Sequence, residues 1–131
     1  MTEREIALGR IAVGDIFHAR TASGASFICL ALKVNDKTIL ARRVTTQSVH
    51  EFNRRTGIED LDGVPLTIDS VARLPADIEE IMLSLDRKYR EDEYRRAEDP
   101  EWKMSAHDAR LTTDEIRGLL FVGKFYTDNP I

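Results

Sequence analysis

Three histidines, one cysteine and an arginine-rich stretch are the first residues in this 131-residue chain to suggest chemistry. His18, His50 and His107 stand far apart, and none has a second His or Cys at the short spacing that metal sites use. The expectation is three ordinary histidines, no metal and no cofactor. Cys29 lies inside the most apolar run of the chain, Phe27 to Leu32, whereas a reactive thiol needs an exposed, electropositive setting. It reads as a small core residue. No serine occupies a Gly-x-Ser-x-Gly elbow, and no glycine-rich loop leads into Lys-Ser or Lys-Thr. Glu59, Asp60 and Asp62 crowd one loop, and Glu91, Asp92 and Glu93 sit together further on. General acid–base work needs two carboxylates in unlike environments, so clusters of this kind read as solvated surface. No residue is assigned a catalytic role at this level.

Two stretches carry a binding signal. Arg42, Arg43, His50, Phe52, Arg54 and Arg55 fall on neighbouring strand patterns and a hairpin tip. Arginines for phosphates and an aromatic for base stacking make a nucleic-acid surface on a small barrel. Against it, Arg42 and Arg43 point to opposite faces of a regular strand, and the alternative is that these arginines pair with the protein's own acids. The second stretch is Ile116 to Tyr126, apolar at seven of eleven positions. A helix so apolar is either deeply buried or an interface, which nominates Leu120, Phe121 and Phe125 for contact with another chain.

The elements that must position these residues divide the chain near Pro75. Before it, turn signals separate short strand patterns: Ile16 to Thr21, Ser26 to Val34, Thr38 to Thr45, Gln47 to Asn53 and Pro65 to Val71. In the second of these, Ile28, Leu30, Leu32 and Val34 alternate with Phe27, Cys29 and Ala31. Both faces are apolar, so this strand is central, and Asn35-Asp36-Lys37 turns it into an antiparallel hairpin. Gly57 suits a positive φ at the end of the next hairpin. After Pro75 the period lengthens. Ile78, Ile81, Met82, Leu85 and Tyr89 form one stripe, and Asp86–Arg90, Glu91–Arg95 and Asp92–Arg96 are acid-before-base pairs. Thr112 and Glu115 resemble a capping box opening the last element, which reads as helix, although Leu119 to Val122 also fits an added strand.

The expected architecture is therefore α+β in a single domain, residues 1–131. A strongly bent antiparallel sheet or SH3-like open barrel of five or six strands spans 10–73. A long amphipathic helix spans 75–97, a polar connector 98–111 and an apolar C-terminal element 112–127. Composition agrees with a globular chain: 42% apolar, 32% charged, with only eleven Gly and Pro together. The net charge of −4 hides a basic first half, nine Lys and Arg against five acids in 1–56, and an acidic second half. No run approaches the roughly 20 apolar residues of a bilayer span. That, a single cysteine and no visible signal sequence suggest a cytoplasmic protein without a membrane partner. The functional expectation is a non-enzymatic protein-interaction module that binds a protein partner or a second copy of itself. The alternatives are the nucleic-acid-binding barrel and a small enzyme in which His18, His50 or an acid pair converge.

Overall fold

The computed structural model describes residues 1–131. Five strands, β1 (Ile16–Arg20), β2 (Ser26–Val34), β3 (Thr38–Arg43), β4 (Val49–Asn53) and β5 (Thr67–Ser70), form one antiparallel sheet. The order is β4-β3-β2-β1-β5, so the doubly apolar β2 is central. The sheet is bent into a half-barrel. Residues 57–60 bridge its two edges. Ile58 O accepts from Asn53 N–H of β4 at 2.9 Å, and Gly57 O accepts from Ile68 N–H of β5 at 2.8 Å. Gly57 has φ 72°, as its place after Arg54-Arg55-Thr56 requires.

Helices cover both faces. An N-terminal helix, α1 (Glu3–Gly9), is absent from the sequence expectation, which begins the fold at residue 10. Thr2 caps it, accepting the Glu5 N–H at 3.0 Å. Leu8 and Ile11 then enter the concave cluster with Phe17, Cys29, Ile39, Phe52 and Ile68. On the other face lie α2 (Ala76–Glu98) and α4 (Thr113–Asp128), joined through the single-turn α3 (Ala106–Ala109). The stripe of α2 packs there as expected: Ile78, Met82 and Leu85 are buried and Ile81 and Tyr89 partly so. The last element is helix rather than strand. Thr112 and Glu115 form a reciprocal capping box, which starts the helix on the residues the pattern indicates.

One face assignment is corrected. The register of β2 against β3 shifts between Ala31 and Lys33, where a bulge absorbs Leu32. Beyond it the alternation inverts, and Val34 packs with the Cys29 and Ala31 cluster instead of with Ile28 and Leu30. No helix is long and apolar enough to cross a membrane.

Candidate functional site

The candidate interaction surface lies on α4. Every third or fourth residue of this helix faces inward: Gly118, Val122 and Tyr126 are buried against α2 and the sheet, and Leu119 and Phe125 are partly covered. The helices approach closely at Gly118, where a Cβ would lie 2.8 Å from Ile81 Cγ2. Seven apolar residues exceed what one inward face can hold. The surplus is left outside: Leu120 is 73% exposed, Ile116 46% and Phe121 38%. Phe121 stacks on Phe125 with ring centroids 5.5 Å apart, so the patch is continuous with the partly buried layer beneath. Charges of both signs rim it, among them Arg117, which reaches Asp114, and Lys124, which pairs with Asp128 at 3.0 Å.

The six residues of the basic stretch do not share one surface. Arg42 points to the helix layer and makes a two-pronged pair with Asp86, Nε to Oδ1 at 3.0 Å and Nη2 to Oδ2 at 2.8 Å. Asp86 is 2% exposed, and Gln47 donates to it as well. Asp86 thus takes Arg42 from across the layers, in place of the local i, i+4 pairing with Arg90; Glu91–Arg95 and Asp92–Arg96 form as expected. Burial alone would raise the Asp86 carboxyl, but hydrogen bonds from Arg42 and Gln47 outweigh it and hold the group below its usual range. Arg43 points the other way, its guanidinium 3.5 Å above the Phe27 ring. Phe52 is fully buried, edge-on to Phe17. Arg54 is committed to main-chain carbonyls of Asn35, Gly9 and Ile11. Of these four arginines Arg55 alone is exposed. The pairing of arginines with groups of the protein itself accounts for Arg42 and Arg54, and core packing accounts for Phe52.

The histidines do not converge. His18 is buried, its Nδ1 2.6 Å from Asp69 Oδ1 and its ring stacked on Tyr126. His50 lies on the concave side and turns its Nδ1 to Glu59 Oε2 at 2.5 Å. Glu59 is corrected from a solvated loop acid to a buried one, 8% exposed, because residues 57–60 fold in between the sheet edges. The other nitrogen of His50, Nε2, is 3.0 Å from Ser48 Oγ. Ser48 was not singled out from sequence. The available signal was its i, i+2 spacing from His50, which places both on one face of a strand. Next to it, Gln47 adopts φ 63°, a left-handed conformation that costs a non-glycine residue about 1 kcal/mol. Bonds from its side chain to Val44 O and Asp86 hold it there. Cys29 is inert in this setting: burial pushes its thiol up to about 12, and Arg43 offsets only part of that. No three His, Cys, Asp or Glu side chains gather as a metal ion would need.

Comparison with known protein families, with curated proteins and with solved structures finds no match to this chain.

Proposed function

We propose that this protein is an interaction module that pairs with a second copy of itself through the outer face of α4. The exposure of Leu120, at the centre of a face it shares with Ile116 and Phe121, carries this reading. A leucine left 73% exposed between two other large apolar side chains on one helix is an unused apolar surface. The rim is balanced and satisfied within the helix, Arg117 reaching Asp114 and Lys124 pairing with Asp128, so it offers no excess of one sign to a strongly charged partner and leaves the apolar side chains to make a symmetric contact.

The test is sedimentation velocity on the full chain over a wide concentration range, beside Leu120→Asp and Phe121→Asp. A concentration-dependent dimer is expected for the parent chain. Leu120→Asp should be monomeric with an unchanged circular dichroism spectrum, and its thermal midpoint should match that of the parent at concentrations where the parent is also monomeric, since surface substitutions usually alter stability by less than about 0.5 kcal/mol. Phe121→Asp should dissociate as well, with some loss of stability from the broken stack on Phe125. A parent chain that stays monomeric throughout, or a Leu120→Asp protein that still dimerises, rejects this interface.

A further inference from the structure

Ser48, His50 and Glu59 form a hydrogen-bonded relay of nucleophile, base and carboxylate. Ser48 Oγ lies 3.0 Å from His50 Nε2, and His50 Nδ1 lies 2.5 Å from Glu59 Oε2. With the imidazole of His50 neutral, the partners allow one consistent set of proton positions. Glu59 Oε1 accepts the Leu66 N–H at 3.1 Å, leaving Oε2 to accept from His50 Nδ1–H. Nε2 is then the bare nitrogen, and the Ser48 hydroxyl donates to it. Thr46 Oγ1, 2.9 Å from Ser48 Oγ, completes the set by donating to the serine oxygen. The accessibility of the three groups is graded as nucleophilic catalysis needs. Glu59 is buried, the His50 side chain is 17% exposed, and Ser48 is open to solvent. The serine is also held in place: its carbonyl accepts the Arg43 N–H at 2.8 Å, and the preceding Gln47 is locked in a left-handed conformation. Arg43 brings its positive charge to the same face of the sheet, where it interacts with Glu59.

We propose that Ser48 is an activated nucleophile that hydrolyses carboxylic esters, with His50 as general base and Glu59 as the residue that positions it. Ser48 Oγ bonds to the ester carbonyl carbon as its proton passes to His50 Nε2. The tetrahedral carbon collapses, the ester C–O bond breaks, and the leaving alcohol takes the proton from His50. Water then attacks the acyl-serine, giving a proton to His50. The carboxylic acid departs, and Ser48 recovers its proton. No oxidant, metal or further reactant enters the balance.

The full chain is incubated with a fluorophosphonate reporter, in which Ser48 Oγ would form a bond to phosphorus as fluoride leaves, and separately with p-nitrophenyl acetate. The expected results are one adduct per chain by intact mass, located on Ser48 by peptide mapping, and steady nitrophenol release beyond one equivalent. Ser48→Ala should abolish both, and this exposed position tolerates the change. His50→Ala should slow labelling about 100-fold, the scale of general-base assistance, and added imidazole should restore part of it. Glu59→Gln should lower kcat with little change in KM. Absence of an adduct, an adduct elsewhere, or equal labelling of Ser48→Ala overturns the proposal. Acylation that halts after one equivalent overturns its hydrolytic half. Because Ser48 lies on the concave side and Leu120 on the outer helix, neither result depends on self-association.

Discussion

Arg42 shows how one side chain can settle the fate of a whole basic cluster. Its guanidinium reaches from the sheet to the helix layer, to a carboxylate 44 residues away, and Asp86 has so little contact with water that it cannot lose this partner cheaply. Removing one member of a buried ion pair costs about 3–5 kcal/mol, because the other is left charged and unpaired. Arg42→Ala is therefore expected to lower stability by about that amount in urea unfolding, and Arg42→Ala with Asp86→Leu should recover part of it. A change of the same size in Arg55→Ala, whose side chain is exposed, would show that the loss is not specific to the pair. The pair also predicts a pH signature. The folded Asp86 carboxyl lies below its ordinary value of 3.8, so its contribution is complete above that value and is lost as pH falls through the folded one. Acid titration of stability should show this loss in the parent chain, and Asp86→Asn should lack it.

Among the elements, α2 and α4 meet at Gly118. A Cβ there would sit 2.8 Å from Ile81 Cγ2 and 2.9 Å from Met82 Cε, inside any real contact. Gly118→Val should destabilise the protein by about 1–3 kcal/mol through overpacking, measurable as a lower thermal midpoint. If it is neutral, the helices pack less closely than described. Helix boundaries of this kind were legible in the sequence, since Thr112 and Glu115 announce a capping box and the α2 stripe repeats with helical period. The strands of the first half were legible for the same reason, turn residues punctuating apolar runs. What escaped the sequence depends on distance. The Asp86 partner comes from another layer, while local spacing pointed to Arg90. Glu59 becomes buried only when residues 57–60 fold between two strand edges, and Leu32 becomes a bulge only against the register of β3. The short α1 was missed although Thr2 and Glu5 stand at capping spacing, because seven residues give too little periodicity to read.

For the whole molecule, two apolar layers share one sheet, and each depends on a different part of the chain. The helix layer is built from residues after Pro75 packed on β-strand side chains, and its outer surface is where a second copy would meet it. The concave layer is closed from the other end of the chain, by α1. That helix has seven residues, too few to persist in water alone, and its anchors arrive late. Arg4 Nη2 donates to Thr56 O at 2.7 Å, and Leu8 lies where a side chain at Gly57 would have to be. Residues 3–11 are therefore expected to take up their final place only after the hairpin at 54–57 exists to receive them. In kinetic terms α1 is expected to dock on the downhill side of the folding barrier. Leu8→Ala should speed unfolding by most of its effect on stability and leave the refolding rate nearly unchanged in stopped-flow experiments. The opening helix would then act as a latch, setting how long the folded chain lasts rather than how quickly it forms.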